Sequence, residues 1–342
     1  MEHKHRHAHI LEKGKFAEFV KALKAEGEII APKSNGFDLL YLPIENASEI
    51  DFSRIPLDNP KTRIFPITEK ILEFKESKVI PTVESKKRVL FGIRPCDIAA
   101  FECLKEFFRD YVKEDKIRDQ YAMDKMDKLT IVAYNCHEPK EHCFCVAMGT
   151  GPAAESGFDL ALTDLGDVYL VEPGNPKGEK IIQELSLPVA SFEDVERKEE
   201  VKNKCIEKMN VDFGAQGIEK IIDKNIDAVS GKHGKKCIIC GGCNFYCPTC
   251  SCFNMADTVD GKIIRRERFW DSCLLRGFTW LAGVGFERDT IDSRMKQRIM
   301  HKLSYTKEHY NMYSCTGCGR CSQVCPSYIF MEDIIRDILR GR

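Results

Sequence analysis

A cysteine pattern that occurs twice near the carboxyl end constrains this chain more than any other feature of its sequence. The pattern is C-x2-C-x2-C-x3-C-P, first as "CIICGGCNFYCP" and again as "CTGCGRCSQVCP". In this spacing three cysteines wrap one [4Fe-4S] cluster, while the fourth points away and ligates the other cluster. The glycines at 241, 242, 317 and 319 let backbone amides approach the cluster sulfurs. The doubled pattern therefore predicts two [4Fe-4S] clusters that share their ligand loops.

This crossed arrangement assigns eight cysteines to two clusters. The first cluster is predicted at Cys237, Cys240, Cys243 and Cys325. The second cluster is predicted at Cys315, Cys318, Cys321 and Cys247. Zinc is the alternative ligand, but zinc sites favour paired C-x2-C units separated by a longer gap. The remaining cysteines of this region are Cys250, Cys252 and Cys273, for which buried packing is favoured over ligation.

Four further cysteines in the amino-terminal part suggest a third site. Cys96 and Cys136 each follow a predicted strand, "RVLFGI" and "LTIVAY", and Cys143 and Cys145 lie in the loop after Cys136. Chemistry in open α/β sheets gathers at the carboxyl ends of strands. These four residues could hold a third [4Fe-4S] cluster, or they could be core residues. Cys103 and Cys205 fall on helical patterns and are predicted to be core residues.

Composition limits the class of protein. The chain has 342 residues, 17 cysteines and 43% hydrophobic residues, enough for a large core and two domains. No apolar run is long enough to span a membrane, and the start "MEHKHRHAHI" lacks a signal-peptide core. We therefore expect a cytoplasmic protein whose cysteines bind metal rather than form disulfides, in an anaerobic or low-oxygen host. The histidines at 3, 5, 7 and 9 are expected to belong to a frayed terminus.

The charge distribution is uneven along the chain. Residues 231–342 contain 18 Lys and Arg against 11 Asp and Glu, whereas residues 1–230 are net negative. A basic segment is typical of nucleic-acid binding. Each oxidised cluster with four thiolates is itself negative, however, so nearby cations that offset this charge are the preferred explanation. Within this segment, "RRERFW" is predicted to be either a cluster-neutralising or docking patch or a solvated helix face. No nucleic-acid partner and no membrane partner are expected.

The pattern of apolar residues predicts an α+β protein. Residues 1–230 alternate strands with helices, which indicates a mixed α/β domain, and 193–228 looks helical and charged. Residues 231–342 are predicted to form a mainly helical ferredoxin-like domain, since "DSCLLRGFTWLAG" and "TIDSRMKQRIMHKL" between the motifs look helical. The glycine-containing "MGTGPAAESG" lacks a dinucleotide fingerprint and is predicted to be a turn.

Taken together, several segments resemble one family. "LFGIRPCD", "CFCVAMGTGP", "GFDLALTDLGDVYLVE", "CPTCSCF" and "RRERFWDSC", in order with the two ferredoxin motifs, are similar to the β-subunit of sulfhydrogenase-type soluble [NiFe] hydrogenases. They are also similar to the A subunit of anaerobic sulfite reductase. The resemblance covers about residues 30 to 330. The histidine-rich start matches no pattern of this family.

The resemblance implies an electron-transfer subunit with two [4Fe-4S] clusters and no substrate of its own. Its implied partners are a flavoprotein subunit that handles FAD and NAD(P)H, and a catalytic subunit with [NiFe] or siroheme. It also implies that Cys96, Cys136, Cys143 and Cys145 are functional, without fixing their ligand. The alternative hypothesis is a sulfur-compound reductase that acts at an amino-terminal iron–sulfur cluster. Neither hypothesis assigns a catalytic side chain.

Overall fold

The computed structural model describes residues 8–82, 86–109 and 118–341. Its strands are β1 His9–Glu12, β2 Glu28–Ser34, β3 Leu39–Pro43, β4 Thr68–Lys75, β5 Lys78–Pro81, β6 Arg88–Ile93, β7 Leu129–Tyr134, β8 Leu160–Asp164, β9 Val168–Pro173, β10 Phe253–Asp260, β11 Ile263–Trp270, β12 Trp280–Leu281 and β13 Gly285–Phe286. Its α-helices are α1 Phe16–Leu23, α2 Pro95–Arg109, α3 Gln120–Met126, α4 Cys145–Met148, α5 Pro176–Glu184, α6 Phe192–Met209, α7 Ile226–Gly234, α8 Gly242–Phe245, α9 Ile291–Met300, α10 Thr306–Tyr310, α11 Arg320–Gln323 and α12 Met331–Arg340. Sheets dominate the first part and helices the last, so the chain is α+β as predicted.

A seven-stranded mixed sheet organises the first part. Its strand order is β1-β9-β8-β7-β6-β2-β3, with β2, β6, β7 and β8 parallel and the outer strands antiparallel. Apolar side chains pack on both faces of this sheet. For this reason β6 and β7 are buried along nearly their whole length. The carboxyl ends of β6 and β7 lie side by side, and a cysteine follows within three residues of each strand, Cys96 after β6 and Cys136 after β7.

Helix α2 begins directly after β6. Its first residue is Pro95, whose fixed backbone and missing N–H suit the first helical position. Cys96 and Asp97 therefore lie in the first turn of α2, at the edge of the sheet. Both residues are buried, with Asp97 fully so.

A second sheet joins distant parts of the sequence. Its order is β10-β11-β4-β5, so the hairpin that follows the first cysteine motif pairs with strands from the first quarter of the chain. The segment "RRERFW" lies in β11 and not on a helix. Pairing on both sides with β10 and β4 favours the extended form there, over the helix that the sequence also allows.

Helices α7, α9 and α12 build a separate apolar core around the cysteine motifs. Residues of α4 and of the segment before α7, among them Phe144 and Ile218, are buried in the same core. The predicted domain boundary between residues 230 and 231 falls inside α7. The division into two domains stays a prediction.

Two predicted helices are shorter than the sequence suggested. The segment "DSCLLRGFTWLAG" contains only a 3-10 turn, Arg276–Thr279, followed by the short strand β12. Helix α6 ends at Met209, because Asn210 adopts a left-handed conformation with φ of 48°. The prediction of helix over 193–228 is therefore wrong beyond this point, where only 3-10 turns and the start of α7 follow. Of the amino-terminal histidines, 3, 5 and 7 lie outside the described residues.

Candidate iron–sulfur sites

The first predicted set of cysteines lines one cavity. The cavity has these four thiols on its wall: Cys237, Cys240, Cys243 and Cys325. Cys237 and Cys240 lie in the loop before α8, Cys243 lies in α8, and Cys325 follows α11. Leu274 and Met295 close its apolar side. Cys240 is exposed, so this cavity lies near the protein surface.

The second predicted set lines a neighbouring cavity. Its thiols are those of Cys247, Cys315, Cys318 and Cys321. Two buried cations, Arg298 and Lys302, are also in its wall. The structure thus groups the eight motif cysteines four and four, with the fourth cysteine of each motif facing the cavity of the other.

The four amino-terminal cysteines also share a cavity. It is lined by Cys96, Cys136, Cys143 and Cys145. Cys96 lies on α2 after β6, Cys136 follows β7, Cys143 lies in the loop before α4, and Cys145 is the first residue of α4. The parallel pairing of β6 and β7 explains why residues 40 positions apart in the sequence meet here.

The three cavities form a row. Arg298 lines the first and the second cavity, and Cys318 lines the second and the third. The second cavity therefore lies between the other two and shares one lining residue with each. Sequence reasoning did not predict this order, because nothing in the spacing of Cys143 and Cys145 indicates that their loop packs against the second motif.

That packing is a backbone contact. The amide of Phe144 donates to the carbonyl of Gly317 at 2.8 Å, and the Thr150 hydroxyl donates to the carbonyl of Thr316 at 2.6 Å. A Cβ atom on Gly317 would lie 2.6 Å from the backbone of Cys145, closer than real Cβ atoms approach. Glycine at 317 is therefore required by the loop that carries Cys145.

Burial disfavours ionisation of these thiols in the absence of metal. It raises the pKa of Cys143 and of Cys243 to about 12, and that of Cys321 to about 11. Burial also raises the pKa of Cys96 and Cys145 well above the ordinary value. Thiolate is the form that binds metal, so occupied sites need positive charge nearby.

Arg298 and Lys302 supply that charge. Burial alone would lower the pKa of Arg298, but the thiolates of Cys243 and Cys321 raise it above its usual range. The pKa of Lys302 is raised in the same way by Cys247 and Cys250. Burial is the largest effect on Cys247 and would raise its pKa, but Lys302, the Thr249 hydroxyl and Lys61 together lower that pKa below its ordinary value. Part of the excess positive charge of the carboxyl-terminal segment therefore lies next to the cysteines of the cavities.

The donor set of each cavity fits an iron–sulfur cluster. The first and second cavities each offer four thiols around a space, and the third offers five because Cys318 of the second set also lines it. Four thiolates are the ligand set of a [4Fe-4S] cluster. Among residues 8–82, 86–109 and 118–341, no three histidine, cysteine or acidic side chains are arranged to hold a single metal ion. The residues that would hold the clusters are the twelve already named, four in each cavity.

The remaining cysteines divide into two kinds. Cys103 and Cys205 are buried on α2 and α6, away from the cavity walls. Cys250 and Cys273 are buried and Cys252 is partly exposed, and none of the three lines one of these cavities. Their role as packing residues stays a prediction.

Comparison with known proteins agrees with this assignment of the cysteine motifs. Residues 236–329 match the family model of the 4Fe-4S dicluster domain. The chain is also similar to sulfhydrogenase 2 subunit beta of Pyrococcus furiosus, with 29% identity over 332 residues, 95% of this chain and 96% of the relative. No solved structure matches the chain.

These findings confirm the resemblance to sulfhydrogenase β-subunits and support [4Fe-4S] clusters as cofactors. The number of clusters, their individual ligands and the resemblance to sulfite reductase stay predictions. In the described part of the chain, no helix has both the length and the apolar character needed to cross a membrane.

Proposed function

We propose that this chain is a cytoplasmic electron-relay subunit with three [4Fe-4S] clusters in a row. It would connect a flavoprotein subunit that handles FAD and NAD(P)H with a catalytic subunit, either a [NiFe] hydrogenase or a siroheme sulfite reductase. The observation that carries the proposal is the row of three cysteine-lined cavities, in which each neighbouring pair shares a lining residue. The similarity to a sulfhydrogenase β-subunit over nearly the whole chain supports it.

Residues of this chain would hold the clusters, exclude water from them and offset their negative charge. A bound [4Fe-4S] cluster accepts or releases one electron at a time. Phe144 and Met331 exclude water from the second cavity, and Arg298 offsets negative charge between the first two. Cys240 is exposed, so a redox partner reaches the first cavity over the shortest distance.

Iron analysis of the anaerobically purified full chain tests the number of clusters. We expect about twelve irons per chain, four for each [4Fe-4S] cluster. Replacing Cys143 by alanine removes a ligand of the third site alone, so about four irons should be lost. Cys205→Ala, another buried thiol in the same part of the chain, should retain all of the iron. A count near eight in the parent chain, unchanged by Cys143→Ala, would reject the third cluster.

Purification under native conditions would identify the partners of this chain. Chains that co-elute with this subunit should include a flavoprotein and either a [NiFe] or a siroheme protein. A subunit that purifies alone at every salt concentration, with its iron intact, would contradict the relay role.

The positive charge of Arg298 leads to a prediction about the reduction potentials of the first two sites. A cation stabilises the reduced form of a neighbouring redox group, so Arg298→Met should lower the potentials of the first two sites. We expect a fall of about 60 mV, a tenfold change for a one-electron couple, in a redox titration followed by electron paramagnetic resonance. Arg294→Met is the matched control, because Arg294 is buried on the same helix but donates to the carbonyls of Arg288 and Asp289. Equal shifts in both variants would exclude the electrostatic role.

One observation favours the sulfur-compound reductase as a second candidate. A cleft lined by Arg54, Arg94 and Lys140 opens beside the third cavity, and the two share Ile55 and Pro139. A cationic cleft at this position suits a small sulfur anion. Reduction of polysulfide by the isolated subunit with an artificial electron donor tests this candidate, and absence of turnover rejects it.

A further inference from the structure

Two buried lysines contact the turn that contains Cys247, a predicted ligand of the second cluster. Lys61 is 1% exposed, and its ammonium group donates to the carbonyls of Cys247 and Cys250 at 2.9 Å each. Lys302 is 3% exposed, and its ammonium group donates to the Thr249 hydroxyl at 2.7 Å. The oxygen of that hydroxyl lies 3.2 Å from the Cys247 sulfur, within hydrogen-bond distance. Both positive charges are therefore fixed against this turn.

Lys61 reaches this turn from the first quarter of the chain. It lies in a 3-10 turn, Pro60–Arg63, and the side-chain amide of the preceding Asn59 donates to the carbonyl of Tyr246 at 3.3 Å. The ammonium group of Lys61 also lies 3.9 Å from the centre of the Trp270 ring. These contacts hold the ammonium group in place, so the fold sets its distance from the second cavity.

Lys302 lies where the helix type changes. Helix α9 continues into a π-helical turn, His301–Tyr305, before α10 begins. Such turns are rare in proteins and occur frequently at functional sites. Here the π-helical turn contains Lys302, which also lines the second cavity. The irregular turn therefore coincides with a cation in the cavity wall.

Neither lysine has a carboxylate partner among the residues that the structure describes. The third buried lysine of those residues, Lys125, is ion-paired with Glu69. A buried charge is costly unless an opposite charge lies nearby. Four thiolates and a bound cluster in the second cavity would supply the negative charge that Lys61 and Lys302 lack. Hydrogen bonding alone does not explain two lysines here, because a neutral amide could donate to the same oxygens.

We propose that Lys61 and Lys302 are positioning residues that raise the reduction potential of the second site, acting from the side of its ligand Cys247. A fixed cation stabilises the reduced cluster, which carries one more negative charge than the oxidised cluster. Arg298 lines the first and the second cavity, whereas the two lysines line no part of the first, so they should affect the second site alone. This proposal rests on the proposed function for the presence of a cluster in the second cavity.

The test is a redox titration of the iron-loaded full chain, followed by electron paramagnetic resonance. Cys247→Ser alters a ligand of the second site and thereby identifies the signal of that site. We expect Lys61→Gln and Lys302→Gln each to change the reduction equilibrium of the second site tenfold, a fall of about 60 mV for a one-electron couple. The potentials of the other two sites should stay unchanged. Lys61→Arg retains the positive charge and should keep the parent potential.

Arg63→Gln is the matched control, because Arg63 belongs to the same 3-10 turn but donates to the carbonyl of Tyr41. Equal shifts in Arg63→Gln and Lys61→Gln, or an unchanged second potential in either lysine variant, would overturn the proposal. Loss of iron from the second site in Lys61→Gln would also overturn it, since Lys61 would then be a structural residue. A parent chain without iron rejects the proposed function and this proposal with it, whereas unmoved potentials in an iron-loaded chain reject this proposal alone.

Discussion

Gly317→Ala is expected to remove iron from the second and third sites together. The added methyl group would lie 2.6 Å from the backbone of Phe144 and Cys145, where no flexible side chain can move aside. The loop that carries Cys143 and Cys145 must therefore shift away from the second motif. We expect a loss of about 3 kcal/mol in the free energy of unfolding, near the upper end for overpacking. Iron content and a denaturant titration measure the two effects.

Gly261→Ala is the matched control for this substitution. Gly261 has φ of +61°, against +64° for Gly317, but nothing lies within 4 Å of its would-be Cβ atom. Both variants carry the cost of a left-handed alanine, about 1 kcal/mol. Only Gly317→Ala adds the collision. If the two variants lose equal stability and keep equal iron, the close approach has no importance for the sites.

The first motif shows why the sequence alone could not reveal this contact. Ile239 occupies the position in the first motif that Gly317 occupies in the second, and its φ is +62°. The left-handed conformation of the motif therefore tolerates a branched side chain where space is open. Glycine at 317 reflects the neighbouring loop and not the motif itself, which a single sequence does not show.

Features of the sites that depend on a short segment could be predicted from the sequence. Features that depend on contacts between distant segments could not. The grouping of Cys247 with Cys315 and of Cys325 with Cys237 followed from a spacing rule, because each motif is a short loop with one geometry. The meeting of Cys96 with Cys136 followed from the placement of both residues after parallel strands. The row of cavities depends on how one segment packs on another, through the contact of Phe144 with Gly317. The spacing of apolar residues along the sequence does not predict such contacts.

The ion pair of Arg320 with Asp97 should contribute the other large effect. Two hydrogen bonds of 2.5 and 2.9 Å join the guanidinium to the carboxylate, and both side chains are essentially inaccessible to solvent. Asp97 follows Cys96, and Arg320 precedes Cys321, so the pair ties a ligand of the third site to a ligand of the second. Removing one partner of a buried pair typically costs 3–5 kcal/mol.

The two partners should differ in their effects. Arg320→Met leaves the Asp97 carboxylate buried beside the Cys96 and Cys318 sulfurs without its hydrogen-bonded partner, so we expect the full loss of about 4 kcal/mol. Asp97→Asn leaves the Arg320 cation, which the thiolate of Cys318 still partly compensates, and the loss should be about half as large.

An exposed pair provides the reference for both variants. Arg266 and Asp257 form a similar two-point contact at 2.8 and 2.7 Å, but their side chains are 40% and 42% exposed. Arg266→Met should therefore cost less than about 1 kcal/mol. Denaturant midpoints and iron content of the three variants rank the effects. A loss for Asp97→Asn that equals or exceeds that for Arg320→Met would mean that the negative charge of the cysteine sites does not reach this pair.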